Sequence, residues 1–204
     1  MKEFSVSPMD KLISLKMPIE QHPLEPFLPK NAKVLVLGSF PPPKSRWSMD
    51  FFYPNFQNDF WRIVGSVMFN DKNYFVDVAG KCFDKDKIVS FCSGFGMAMY
   101  DTAEAVTRLK NNASDNFLQI EKTVDLTAIL KQIPDCHAVV ATGEKAAATL
   151  SQIIGCGKIE IGKSLVAEYC DRRLAIWRMP STSRAYPLPF EQKALIYSEL
   201  FKSL

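Results

Sequence analysis

Short apolar runs alternate with longer amphipathic segments along this chain. The run Val-Leu-Val-Leu at 34–37 is too short for a helix and contains enough branched residues to predict a buried strand. Gly38, Ser39 and three prolines then end the run. The same kind of pattern predicts strands at 96–100, 138–141, 165–169 and 174–179.

A second pattern, with apolar residues three and four positions apart, predicts helices. Asn58 is a good N-cap residue, and Phe60, Ile63, Val64 and Val67 follow it at helical spacing. Similar patterns predict helices at 9–16, 102–109, 126–132, 144–153 and 190–201. Segment 88–91 fits a short strand or an irregular approach to the next strand, and 110–115 is predicted to be a polar loop.

The alternation of strands and helices predicts an α/β domain. We expect a three-layer sandwich, in which a short central, mostly parallel sheet is flanked by helices. This domain should span residues 33–204. It is preceded by an N-terminal arm at 1–32, in which four prolines after the predicted helix at 9–16 keep the rest of the arm extended. In such a sheet, ligands bind outside the carboxyl ends of the strands. The polar loops after 34–37 and 174–179 should therefore form two walls of one cleft.

Composition narrows the class of protein without naming a substrate. A chain of 204 residues fits one domain with a substantial core. The net charge of +3 is only mildly basic and does not by itself indicate nucleic-acid binding. The apolar runs are shorter than the roughly 18 residues of a membrane helix, and the first residues lack the apolar core of a secretory signal. We therefore expect a cytoplasmic protein without a membrane partner.

The cysteines and histidines argue against a metal site. The five cysteines are scattered without a C-x-x-C pair, which favours reduced, mostly buried thiols over zinc or iron–sulfur ligands. His22 and His137 are far apart, and His137 begins an apolar run where a structural role is expected. We predict no metal and no cofactor.

Two motifs then resemble a known family. Gly-Ser-Phe-Pro at 38–41, the pair Phe51-Phe52 and Asn-Asp-Phe-Trp at 58–61 together resemble the first motif of the uracil-DNA glycosylase superfamily. Met-Pro-Ser-Thr-Ser at 179–183 resembles its second motif. The pattern is most similar to the branch of hypoxanthine-DNA glycosylases and mismatch-specific uracil glycosylases, and the resemblance covers about residues 33–200. It implies the fold of that superfamily and a monofunctional enzyme of base-excision repair.

The resemblance also implies catalytic and base-binding residues. Such an enzyme flips a deaminated base, uracil or hypoxanthine, into a pocket and hydrolyses its N-glycosidic bond. Asn58 would position the attacking water, or simply cap the helix that follows. Ser39 and the backbone N–H groups around it would bind a carbonyl of the base. The residues expected to stack on the base or to read its edge are Phe40, Phe51, Phe52, Asp101 and Thr142.

The same resemblance assigns the second motif to the DNA backbone. Hydroxyl groups and loop amides commonly contact phosphates, and basic side chains add charge. The DNA-binding residues expected are Lys44, Arg46, Ser181, Thr182, Ser183, Arg184 and Tyr186. The partner would be duplex or single-stranded DNA with a damaged base, bound by a monomer.

Other functions remain open at this point. A catalytically silent DNA- or nucleotide-binding module on the same fold is the main alternative, because Pro42 stands where the family usually has glycine and no carboxylate in the first motif replaces the stronger base of the most active superfamily members. An unrelated α/β hydrolase or transferase is less favoured, because the chain has no G-x-S-x-G motif.

Overall fold

A five-stranded sheet forms the centre of the molecule. The structure is a computed structural model, and it describes residues 17–109 and 115–204. Its strands are β2 (Val34–Gly38), β5 (Met97–Asp101), β8 (Ala138–Thr142), β9 (Lys163–Tyr169) and β10 (Arg172–Met179). They lie in the order β5-β2-β8-β10-β9. Pairing is parallel from β5 to β10, and only the edge strand β9 is antiparallel. A separate antiparallel pair consists of β3 (Val76–Asp77) and β4 (Cys82–Phe83).

This sheet confirms the predicted mixed α/β fold with a mostly parallel sheet. Strands β2, β5 and β8 are buried along their whole length, as expected of parallel strands that are covered on both faces. Helices connect the strands, although their arrangement as three layers stays a prediction. The helices are α1 (Phe60–Phe69), α2 (Lys85–Phe95), α3 (Leu126–Gln132), α4 (Glu144–Ile154) and α5 (Phe190–Lys202).

Two features of the helices differ from the sequence-based expectation. Segment 88–91 belongs to α2, which begins where the Asp84 side chain accepts the N–H of Lys87. This N-cap and the αL residue Gly96 at the other end favour a helix over the short strand or irregular approach segment expected there. In α1 the N-cap position is Asp59, although the Asn58 side chain, one residue earlier, accepts the N–H of Phe60.

A second, antiparallel sheet corrects another prediction. Segment 102–109 does not form the predicted helix: β6 (Ala103–Arg108) pairs with β1 (Ile19–Gln21) on one side and β7 (Leu118–Thr123) on the other. Ala103, Ala105 and Val106 are buried in this arrangement. Pairing along both edges of the segment outweighs the helix propensity of its Ala and Glu residues.

The segment before the main sheet is joined to both sheets. Besides the pairing of β1, the backbone of Phe27 forms a bridge with Met99 in β5. The helix predicted at 9–16 lies outside the described residues, as does most of the loop predicted at 110–115. The domain boundary at residue 33 stays a prediction.

Candidate active site

The ends of four parallel strands lie at one edge of the central sheet. Gly38 in β2 is in register with Asp101 in β5, and Thr142 in β8 is in register with Met179 in β10. The backbone N–H of Asp59 donates to the carbonyl of Thr182 over 2.9 Å. The loop that follows β2 and the loop that follows β10 therefore meet at the same edge.

Asp101 is a buried carboxylate at this edge. Its side chain is 10% exposed, and Oδ2 lies 2.8 Å from Nε2 of His22. Its Oδ1 leans over Gly38 so closely that a Cβ on that glycine would lie 2.2 Å from it. Position 38 thus needs glycine for space, because a side chain would displace the carboxylate.

Tyr53 and Thr142 form a second polar contact beside Asp101. The two hydroxyl oxygens are 2.6 Å apart, and the Tyr53 ring stacks on Phe60 at 3.9 Å between centroids. Burial raises the pKa of Tyr53 well above its usual value, and the negative charge of Asp101 raises it further. Tyr53 therefore keeps its proton and can donate a hydrogen bond at any physiological pH.

Ser39 brings a second carboxyl group to the site. Its hydroxyl donates to Oδ1 of Asp115 over 2.8 Å. Burial raises the pKa of Asp115, the hydrogen bond from Ser39 opposes this shift, and the charge of Asp101 adds to it. The negative charge of Asp101 therefore raises the pKa of both Tyr53 and Asp115.

The three predicted stacking residues lie in different surroundings. Phe40 is 8% exposed and meets the His22 ring edge-on at 5.3 Å, and Phe52 lies 6.3 Å from the same ring. Phe51 packs against Phe27 and Trp61 in the main core. Phe40 and Phe52 therefore lie near the His22 ring that contacts Asp101, although Phe52, like Phe51, also belongs to the main core.

Asn58 lies next to the meeting point of the two loops. Its Oδ1 accepts the N–H of Phe60 over 2.8 Å, and its own N–H donates to Asn55. The side chain is partly buried. One lone pair of the amide oxygen is thus used for capping, and the amide keeps the capacity for a further contact.

A buried ion pair joins the two loops. Nζ of Lys193 in α5 lies 2.9 Å from Oδ2 of Asp59 and donates to the carbonyl of Ser183 over 2.8 Å. The Lys193 and Asp59 side chains are 2% and 11% exposed. Lys193 was not predicted from the sequence. The sign in the sequence is that it lies on the same helical face as the apolar residues Tyr197 and Leu200.

The loop after β10 presents a mixture of buried and exposed groups. Thr182 is buried and makes its contact with α1 through its backbone carbonyl. Ser183 and Arg184 are exposed, and Ser181 and Tyr186 are partly buried. Of the predicted hydroxyl contacts, those of Ser181 and Ser183 are the more accessible.

A basic cavity of about 540 Å³ adjoins this loop. Arg62, Lys72, Arg184 and Lys193 line it together with Asp59 and Glu191, so its lining has a net charge of +2. Burial lowers the pKa of Arg62, and the positive charge of Arg184 lowers it further. Arg62 and Arg184 thus present like charges to the same cavity, which favours the binding of an anion between them.

The remaining basic residues predicted to contact DNA lie on a short 3₁₀ turn, Lys44–Arg46. Lys44 pairs with Asp50 over 2.9 Å and lies over the Trp47 ring at 3.9 Å. Arg46 is exposed. This turn is in the long loop that connects β2 to α1.

Residues 17–109 and 115–204 contain neither a cluster of metal ligands nor a membrane-spanning helix. No group of three or more His, Cys, Asp or Glu side chains in this part of the chain is placed to hold a metal ion. None of its helices is both long and apolar enough to cross a bilayer.

Comparisons with known proteins relate the fold of this chain to that of a solved structure. No protein-family profile matches the chain, and no curated protein matches it. The chain is similar to the solution structure of a "putative uracil DNA glycosylase" from Methanosarcina acetivorans, with a TM-score of 0.60 and 19% identity. The match covers 91% of this chain and 98% of the other. At this identity the likeness shows the fold, and the chain shares the fold of that structure.

Proposed function

We propose that this protein is a DNA glycosylase that flips a deaminated base, uracil or hypoxanthine, and hydrolyses its N-glycosidic bond. The observation that carries the proposal is the meeting of Asp101, Tyr53 and Ser39 beside the loop 181–184, on a fold shared with the Methanosarcina structure. Acceptors and donors for a base are thereby combined with groups suited to phosphates. We further propose a monofunctional, monomeric enzyme of the hypoxanthine and mismatch-uracil branch.

Asp101 suits the recognition of a deaminated base. Deamination turns a ring nitrogen that accepts a hydrogen bond, N3 of cytosine or N1 of adenine, into an N–H donor in uracil or hypoxanthine. A carboxylate oxygen accepts from that N–H and repels the lone pair of the parent base. A site that is built around such a hydrogen bond can discriminate by about 10⁴-fold against an analogue that lacks it. Thymine and guanine carry the same N–H, so the pocket walls must exclude them by shape.

The loop after β2 supplies groups for the cleavage step. The bond breaks towards a cationic sugar and an anionic base, so the enzyme must stabilise separated charges. In this proposal, the backbone N–H groups near Ser39 and Phe40 bind a carbonyl oxygen as negative charge develops on the base. Asn58 holds the water that attacks the sugar. Its Oδ1 accepts the N–H of Phe60, and its second lone pair and its NH2 group can still bind the water.

The second loop and the basic cavity would hold the DNA strand. Ser181 and Ser183 contact phosphates beside the flipped nucleotide, and Arg184, Arg62 and Lys72 supply positive charge along the continuing backbone. Lys193 contributes by fixing the loop to α1. Binding should therefore weaken steeply as salt is added.

A catalytically silent DNA-binding module is the second candidate. The observation that favours it is the contact between Oδ1 of Asn58 and the N–H of Phe60, because a capping amide needs no catalytic duty. Such a module would retain the basic cavity and its preference for a flipped base. It would release no base.

Single-turnover base release separates the two candidates. Labelled oligonucleotides carrying one uracil or one hypoxanthine, as duplex and as single strand, are incubated with excess protein and treated with alkali to cut abasic sites. A glycosylase leaves abasic sites that alkali cuts at the lesion, and undamaged DNA stays intact. A binding module prefers an uncleavable 2′-fluoro-arabino lesion over normal DNA and gives no abasic sites.

A further inference from the structure

We propose that His22, in the segment before the main sheet, neutralises and positions Asp101 as part of the base pocket. This inference rests on the proposed glycosylase function and adds a residue from outside both motifs. The contact between the two side chains joins positions 22 and 101. His22 would thus be a positioning residue, because it acts on the base through Asp101.

The hydrogen bonds of His22 define where its protons lie. Nδ1 lies 2.8 Å from the carbonyl oxygen of Leu24, a distance at which two lone pairs would repel, so Nδ1 carries a proton. The N–H of Leu24 is directed at the same Nδ1 over a longer 3.2 Å; because a protonated Nδ1 cannot accept it, we assign the proton from the shorter contact with the carbonyl. With Nδ1 protonated, Nε2 has a lone pair unless the ring holds a second proton.

The contact with Asp101 then requires one more proton. Nε2 and Oδ2 are 2.8 Å apart, which is a hydrogen-bond distance and not one for two facing lone pairs. The proton lies between them in either of two forms, imidazolium with carboxylate or imidazole with carboxylic acid. In both forms the pair has no net charge.

The surroundings of His22 are apolar and hold its side chain in place. The His22 side chain is 2% exposed, and the rings of Phe40, Phe52 and Tyr100 lie 4.6 to 6.3 Å from its own. Its backbone N–H donates to the carbonyl of Glu104 over 2.8 Å. A polar pair in such apolar surroundings costs desolvation energy, so it persists only with good geometry on both partners.

A neutral pair matters because the base leaves as an anion. An unpaired carboxylate at position 101 would accept the lactam N–H in the ground state, but it would repel the negative charge that develops on the same ring. A proton shared with His22 removes the net charge and leaves Oδ1 as an acceptor. The contact of Oδ2 with His22 also fixes Oδ1 over Gly38, where space is free only because that residue lacks a Cβ.

The test uses a pair of substitutions that separate charge from packing. In His22→Gln the amide can still donate to Asp101, but it cannot supply the neutralising proton. We expect single-turnover base release to fall about 100-fold, the size typical of a lost electrostatic contact in a transition state. Adding Asp101→Asn removes the unbalanced charge and should recover about 10-fold of that loss, again because the effect is electrostatic.

Leaving-group acidity gives a readout that a purely structural role would not move. 5-Fluorouracil leaves as a more stable anion than uracil, and 8-azahypoxanthine as a more stable anion than hypoxanthine. The loss in His22→Gln should be larger for the less acidic member of whichever pair the wild type releases. His137→Gln, at the exposed second histidine, is the matched control and should leave both rates unchanged.

The outcomes separate this inference from the proposed function. A folded wild type that releases neither uracil nor hypoxanthine would overturn the function and the role of His22 with it. A wild type that releases base while His22→Gln matches it would overturn the role of His22 alone. Equal losses for both members of a pair, without recovery in the double variant, would show that His22 only supports packing. Thermal unfolding of each variant confirms that it is folded in the assay.

Discussion

Replacing Lys193 with methionine should both destabilise the fold and loosen the loop after β10, which we propose to bind DNA. The substitution keeps most of the side-chain volume but leaves the Asp59 carboxylate, 11% exposed, without its partner. It also removes the hydrogen bond to the carbonyl of Ser183. Breaking a buried ion pair in this way costs about 3–5 kcal/mol.

Equilibrium urea unfolding measures this cost. With an m-value of roughly 2–3 kcal/mol/M for a chain of this size, the midpoint should fall by about 1–2 M. Lys202→Met is the matched control on the same helix, because Lys202 is 71% exposed and pairs with the exposed Glu199. Its free energy of unfolding should change by less than about 0.5 kcal/mol.

A double variant tests the electrostatic explanation. Asp59→Leu together with Lys193→Met replaces both charges with apolar groups and should regain most of the lost stability, as buried pairs often allow. DNA affinity should stay low in this variant, because the contact with Ser183 is still missing. A Lys193→Met midpoint equal to that of the Lys202→Met control would refute the buried pair and the loop anchor built on it.

Three further substitutions test the site. Asn58→Ala should lose most base release, keep DNA binding in fluorescence anisotropy and cost about 1 kcal/mol of stability; wild-type turnover would exclude its assigned role. Arg184→Ala should weaken binding to all sequences alike and reduce the log–log salt slope by about one; an unchanged slope with altered base choice would place it in the base pocket. Gly38→Ala should slow base release, since its Cβ would lie 2.2 Å from Oδ1 of Asp101, whereas Gly94→Ala, with open space around it, should not. Equal rates in these two variants would contradict the close approach.

The main sheet was predictable because its signals are local. Buried parallel strands consist of continuous apolar residues, and the runs at 34–37, 138–141 and 174–179 each stand out from polar flanks. The helix predicted for segment 102–109 was wrong. The composition of the segment suits a helix, but in the sheet it pairs on both sides with strands from other parts of the chain. Such long-range pairing cannot be predicted from the sequence of the segment alone.

The candidate site likewise contains residues that could be predicted from local sequence and contacts that could not. Its motif residues, such as Ser39 and Asn58, could be proposed from their sequence context. The contact between His22 and Asp101 spans 79 positions, and no periodicity predicts it. Tyr53 was equally hidden, because its role depends on a left-handed backbone conformation (φ 52°) and on the hydroxyl of Thr142. Long-range polar contacts of this type become visible only when the chain has folded.

Release of a free base is the most direct test of the central claim. Purified wild-type protein is incubated under single-turnover conditions with DNA carrying one uracil or one hypoxanthine, and the released base is identified by mass spectrometry. The proposed function predicts stoichiometric release of at least one of these bases and an abasic site at its position, with Asn58→Ala nearly inactive. Lesion-containing DNA that is bound tightly but stays intact throughout would contradict it and favour the silent binding module.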